Sequence, residues 1–221
     1  MSGGQAGGTG GAAWLDRLAH DLRGPLAPLQ TASYLLQRED LDPARRAELL
    51  VLLERQTQRL ARMLDELDDW RRIGRGNLLG PLEPGEMAML LDYALVGSGL
   101  GGTPVDDDGR IAVVEVDAQR LTQMLRTMLD YAVARDGRPP ALSLHSGDGR
   151  VRLQATLAGP PPSADEAAEL FAQPQADPFD QGLGLRLPMA REIVRAHGGE
   201  LNALVVDDRL VLRCELPLAS H

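Results

Sequence analysis

The chain has 221 residues, enough for one sizeable domain or two small ones, and sets 23 basic against 32 acidic residues for a net charge of −9. That balance argues against nucleic acid as a main partner, since nothing neutralises phosphates in bulk. Every basic residue is arginine, and the single cysteine, Cys214, excludes an intrachain disulfide and a cysteine-based zinc cluster. No apolar run approaches the roughly 20 residues of a membrane span. The Gly-rich residues 1–13 lack a basic n-region and an apolar h-region, so they read as a flexible tail and not as a secretory signal. A cytoplasmic protein without membrane contact is expected.

The first helix is expected from about Ala13 to Arg38. Its heptad seam reads Leu15, Leu22, Leu29 and Leu36, with Leu18, Pro25 and Ala32 between. His20 falls two residues past Leu18, off both seam positions and on the wet side, beside Asp21. A neutral imidazole keeps a lone pair on one ring nitrogen, so this is an accessible nucleophile next to a carboxylate. Pro25 and Pro28 each delete an i to i−4 hydrogen bond, which frees the carbonyls of Asp21 and Gly24 and should bend the helix after His20.

Asp40 to Pro43 is a turn, with Asp42 as N-cap and Pro43 at the first helical position. A second helix follows from Ala44 to about Ile73, with Leu53, Leu60 and Leu67 interleaved with Leu49, Gln56, Met63 and Trp70. Helices of this length reach about 40 Å. A two-helix hairpin cannot bury both faces alone, so pairing with a second copy as a four-helix bundle is the economical solution. Residues 74–80 form a linker, which divides the chain into a tail over 1–13, a hairpin over 14–73 and a second domain over 81–221.

In that second domain Glu86 to Val96 reads as an amphipathic helix, Gly97 to Gly109 as loop and Ile111 to Val116 as a strand. Asp117 caps a periodic helix to Arg135. Leu142–His145 and Val151–Leu157 form a hairpin around Gly147-Asp148-Gly149. Ser163 and Glu166 make a capping box for a helix ending near Phe171, and a helix from about Leu185 ends at His197-Gly198-Gly199. Two strands, Leu201–Val206 and Arg209–Leu216, turn at Asp207-Asp208. Helices among antiparallel hairpins give an α+β sandwich.

His20-Asp21-Leu22-Arg23-Gly24-Pro25-Leu26 resembles the H-box of the two-component histidine kinases. Three segments of the second domain resemble that family's ATP-binding domain. Asp117 to Leu125 is similar to the run into the N-box, Glu169-Leu170-Phe171 to the F-box, and Ala190 to Leu201 to the end of the G2 box and beyond. The resemblance covers nearly everything from Trp14 onward. It implies a helical hairpin, a four-helix bundle as dimer, followed by an α+β sandwich of the histidine-kinase ATPase type.

The resemblance further implies that His20 accepts a phosphoryl group and that Asp21 orients or deprotonates it. Members with phosphatase activity usually carry Thr or Asn four residues after the histidine to position a water; Gly24 offers no side chain for that. The nucleotide motifs depart from the family. The two N-box asparagines align with Thr127 and Tyr131, and the lysine that usually follows aligns with Ala134. The G1 aspartate aligns with Leu157, followed by Ala158-Gly159-Pro160-Pro161-Pro162. The G2 turn reads Gly182-Leu-Gly184-Leu-Arg186, with arginine for its third glycine. Gly182 and Gly184 are the vestigial cofactor-binding residues, or simply a tight turn.

The expected function is a phosphoryl relay between His20 and a response-regulator receiver domain by a homodimer, with another histidine kinase as a further partner. No metal ligands are expected, and ATP and magnesium enter only for the alternative of a divergent autokinase. A second alternative is a non-enzymatic adaptor. Histidine kinases commonly carry a sensor domain or membrane segment ahead of the H-box, so any input here is expected through a partner or through the second half of the chain.

Overall fold

Helix α1 (Gly8–Leu36) and helix α2 (Pro43–Gly74) open the computed structural model, which describes residues 8–38 and 40–219. Helix α1 begins before the expected Ala13, so the glycine-rich residues 8–13 are helical; residues 1–7 lie outside the described residues. Pro25 and Pro28 both sit inside α1, which continues through them. From Leu18 onward the predicted seam is the covered one; the side chain of Leu15 lies outside the described residues. Pro25, Ala32, Leu49 and Met63 are buried, and Leu18, Leu22, Leu29, Leu36, Leu53, Leu60 and Leu67 are partly covered. Asp42 caps α2, accepting from the backbone N–H of Ala44 and of Arg45 at 3.1 Å each. The outer faces of the pair leave Tyr34, Val51 and Leu64 exposed.

The chain divides into two compact units. The first runs to Asp68 and includes Gln181–Leu183; the second comprises Asp69–Asp180 and Gly184 onward. Asp69 accepts from the Arg120 guanidinium and from the Gln123 amide, both at 2.8 Å. Leu78, in the stretch read as a linker, is buried in the core of the second unit.

Among the described residues that unit holds two sheets. Strand β1 (Glu83–Glu86) pairs antiparallel with β3 (Val113–Val116). The larger sheet has the order β2-β4-β5-β7-β6, from β2 (Val105–Asp107), β4 (Ala141–Gly147), β5 (Arg150–Thr156), β6 (Glu200–Val206) and β7 (Arg209–Pro217). Of these described pairings, only β2–β4 is parallel. Strands β1 and β2 are absent from the sequence reading, and β2 falls within the stretch read as loop. Their sequences, EPGE and VDD, have no apolar alternation to reveal them.

Side-chain alternation sets the two faces of the sheet. Val151, Leu153 and Ala155 of β5 and Leu210, Leu212 and Cys214 of β7 join the core. They share it with α3 (Met87–Gly97), α4 (Ala118–Asp136) and α6 (Arg186–Ala196). The other face is polar: Arg152 stands opposite Glu215 and donates to it at 2.6 Å. Both hairpins turn on two residues at positive φ, Asp148-Gly149 (53° and 71°) and Asp207-Asp208 (48° and 55°), the handedness that matches strand twist. Helix α5 (Ala164–Glu169) starts at the expected capping box of Ser163 and Glu166. No helix among the described residues is long and apolar enough to cross a membrane.

Candidate functional site

His20 projects from α1 into solvent, with Asp21 and Leu22 half-buried behind it and Pro25 buried one turn on. Nothing lies within 4 Å of the point where a Cβ on Gly24 would be, so the surface beside His20 is open. An incoming group reaches the imidazole without displacing a side chain at that position. Pro25 and Pro28, inside α1, contribute no N–H to the carbonyls of Asp21 and Gly24.

A second constellation lies within the second unit, around Arg186 at the first turn of α6. Its Nη2 donates to Asp130 Oδ2 at 2.9 Å and to Thr127 Oγ1 at 3.4 Å, and its Nη1 donates to Asp180 Oδ2 at 3.3 Å. The guanidinium lies 5.2 Å from the centroid of the Phe179 ring. That ring meets Tyr131 edge-on, with centroids 5.7 Å apart and planes at 83°. Thr127 is buried, and its hydroxyl donates to the Gln123 carbonyl at 3.0 Å. Burial pushes the Tyr131 phenol above its ordinary range, against the pull of the neighbouring Arg135 charge.

The stretch aligned with the G1 box follows β5. Leu157 is buried and its N–H donates to the Leu210 carbonyl at 2.8 Å, so its backbone continues the pairing of β5 with β7. The next two N–H groups, of Ala158 and Gly159, both donate to Asp136 Oδ2 at 2.7 and 2.8 Å. Arg135 Nη2 donates to the Pro160 carbonyl at 2.9 Å. The end of α4 is thereby fastened to this loop by two adjacent side chains.

Gly184 sits at φ +77°, and the backbone of Gln175 occupies the space a Cβ would need. The Gln175 N–H donates to the Gly184 carbonyl at 3.0 Å. Gly184 thus makes a close backbone contact that leaves no room for a side chain. Gly182 is buried and is grouped with the first unit, whereas Gly184 belongs to the second.

The His197-Gly198-Gly199 signature is a Schellman end to α6: Gly198, at φ +73°, donates to Arg195 O and Gly199 to Val194 O, each at 2.9 Å. His197 itself is buried. Nδ1 lies 2.8 Å from the Ile193 carbonyl, and Nε2 accepts from the Asp117 N–H at 3.0 Å. Those two partners fix the neutral tautomer with the proton on Nδ1. Burial lowers the pKa of this imidazole, outweighing the Ile193 bond and the Asp117 charge.

Sequence reasoning singled out His20 and Asp21 as the phosphoacceptor pair, Gly182 and Gly184 as vestigial, and Thr127, Tyr131, Leu157 and Arg186 as departures from the nucleotide motifs. It missed Asp130, Asp136, Phe179 and Asp180, which fill the surroundings of the last four. Contacts such as Asp130–Arg186 span 56 positions. The only local trace was the acidic and aromatic run Asp177-Pro178-Phe179-Asp180 just ahead of the turn.

Comparison with known proteins agrees with this layout. Residues 12–76 match the His Kinase A (phospho-acceptor) domain family. The chain is 30% identical over 207 residues to the sensor protein KdpD of Mycobacterium tuberculosis, covering 86% of this chain and 24% of that protein. It is 28% identical over 235 residues to the sensory histidine kinase/phosphatase NtrB of Rhodobacter capsulatus, covering 92% of this chain and 61% of NtrB. It therefore spans between about a quarter and three fifths of the length of these relatives. Among solved structures, the histidine kinase ThkA in complex with the response regulator protein TrrA superposes with a TM-score of 0.70 at 19% identity. That match covers 93% of this chain and 61% of ThkA.

Proposed function

Because this chain belongs to the two-component sensor histidine kinase family, we propose that it works as a homodimeric phosphoryl carrier, exchanging a phosphoryl group between His20 and a response-regulator aspartate. An imidazole nitrogen of His20 attacks the phosphorus of the receiver's aspartyl phosphate in line. A P–N bond forms as the P–O bond to the carboxylate breaks, and the freed aspartate leaves with the bond's electron pair. The reverse step regenerates the acyl phosphate. Asp21 orients the imidazole and balances the positive charge that develops on the ring. The receiver supplies the magnesium for this exchange, so His20, Asp21 and an open docking face suffice here. The observation that carries the proposal is the exposed His20 on an uncluttered helix face, within the residues matched to a phospho-acceptor domain. The name of the ThkA–TrrA complex supports a receiver as the partner.

The reading extends to the nucleotide site, whose residues do not fit magnesium and ATP. Tyr131 and Thr127 stand where the N-box supplies asparagines, and neither presents an amide carbonyl to a cation. Leu157 cannot accept from an adenine amine, and the N–H groups of Ala158 and Gly159 are already taken by Asp136. The Arg186 guanidinium is already bonded to Asp130 on the N-box helix, so that carboxylate is taken before any divalent cation reaches it. Unmet polar groups on a buried ligand cost about 1–3 kcal/mol each, so several together lower affinity by orders of magnitude.

The deciding experiment offers a phosphorylated receiver domain to the purified chain and follows label on His20, with direct ATP titration in parallel. Transfer that disappears in His20→Ala, with no ATP binding at millimolar concentration, is the expected result. Micromolar ATP binding with self-labelling would make the chain an autokinase. Unchanged signalling by His20→Ala would make it an adaptor.

A further inference from the structure

We infer that Arg186 is an internal ligand, holding the turn between Gln175 and Arg186 closed where a family member would use nucleotide phosphates. This rests on the reading of the nucleotide site just given and adds what has taken its place. A glycine at this position contributes only backbone. Arginine instead contributes a planar fork whose donors are shared among Asp130, Asp180 and Thr127 and whose face rests on Phe179. These partners come from the middle of α4 and from the segment leading into the turn, so one side chain ties both to the start of α6.

The environment makes the tie effective. The Arg186 side chain is 24% exposed and that of Asp180 13%, so the charges are less screened than those of surface pairs. Two carboxylates more than offset the guanidinium, so an external anion would meet net negative charge and would have to displace both. An external cation would have to take those carboxylates from Arg186. At the neck of the same turn, Gln175 N–H closes onto Gly184 O, and Gly184 lacks the Cβ that would force the two apart. Backbone closure at the neck and side-chain closure two residues later are independent fastenings of one segment. The turn is therefore ordered without ATP and indifferent to it.

Hydrogen–deuterium exchange on the full chain tests this, read from peptides covering 172–180. In the wild type these peptides should carry a slowly exchanging amide at Gln175, whose N–H is bonded to Gly184 O, with the same rate without nucleotide and with millimolar Mg-ATP. Arg186→Ala should raise their exchange by about tenfold or more while β5 and β7 keep their protection. Arg186→Lys, which keeps the charge and loses the fork, should fall between. Wild-type exchange at the rate of an unstructured peptide, slowing on Mg-ATP, or indifference to Arg186→Ala would each overturn the inference. If Arg186→Ala loses protection everywhere, Asp130→Asn takes its place: loosening confined to 172–180 supports the tie, and no change overturns it. Phosphoryl transfer to His20 is read separately on the same samples. Loss of transfer with protection intact refutes the relay alone, and slowing by Mg-ATP refutes the internal ligand together with the worn nucleotide site.

Discussion

The backbone N–H of Asp117, at the cap of α4, donates to Nε2 of His197, at the end of α6, across 3.0 Å. The imidazole must be neutral to accept it, since a protonated ring would face that N–H with a second donor. The folded state therefore holds His197 below its ordinary pKa, and the sign follows. Stability is fully present above the unfolded value of about 6.5 and is lost as the pH falls below it, by at most about 1.4 kcal/mol per pH unit. Asp117 is the nearby carboxylate, and its charge only moderates the effect. Chemical denaturation at pH 7.5 and 5.5 should show this loss in the wild type and a smaller one in His197→Gln, whose side chain does not titrate.

Asp117 does more than stand near His197. Its carboxylate accepts from Arg120 N–H at 3.0 Å and from Gly80 N–H at 2.8 Å. Burial works against its charge, but these two bonds hold its pKa below the usual carboxylate value. Its stabilising contribution is present above the unfolded value of about 3.9 and fades as the pH drops through the lower folded one. Asp117→Ala should cost about 1–2 kcal/mol at neutral pH. Asp117→Asn, which can still accept one bond, should cost less.

His20 is exposed, so replacing it should separate function from folding. His20→Gln should leave the thermal midpoint unchanged within error and abolish acid-labile, base-stable labelling from a phosphorylated receiver. Asp21→Asn should slow labelling without abolishing it, because the nucleophile remains. Rapid-quench time courses measure both.

Gly199 is packed against the backbone of β7: a Cβ there would collide with the Glu215 carbonyl and approach Leu216 to 2.7 Å. Backbone cannot swing aside as a side-chain tip can. Gly199→Ala should therefore destabilise by about 1–3 kcal/mol, the range of overpacked cores. The urea midpoint would report it.

Cys214 lies in the sheet core, where burial pushes its thiol up to about 12. The native protein should leave a thiol reagent unconsumed at pH 8, and denaturation should release one reactive equivalent. Reaction at the rate of a free thiol would contradict the packing of β7.

Much of this architecture was legible because its signals are local. Seven-residue spacing marked the covered seam of α1 and α2, as the burial of Ala32, Leu49 and Met63 bears out. Asp42, Asp117, Ser163 and Gly198 each announced a helix end through hydrogen bonds reaching only a few positions. The two-residue turns at Asp148-Gly149 and Asp207-Asp208 were readable for the same reason. Strands β1 and β2 escaped because they hold their places by pairing with β3 and β4, not by an apolar pattern of their own. Around Arg186 the sequence supplied the odd residue but not its partners. A lone arginine predicts a charge, whereas Asp130 and Asp180 become its counter-charges only once the fold brings them together.

The bond from Gly80 to Asp117 bears on how the protein can be cut. A fragment begun at Pro81 would keep Asp117 and discard one of its two backbone donors. Any fragment begun after Asp69, that one included, strips Arg120 and Gln123 of their shared carboxylate. The smallest autonomous version of the second unit thus starts within α2, upstream of Asp69. A protease acting between residues 75 and 79 would separate the two halves on a gel while leaving that version short of its own first anchor.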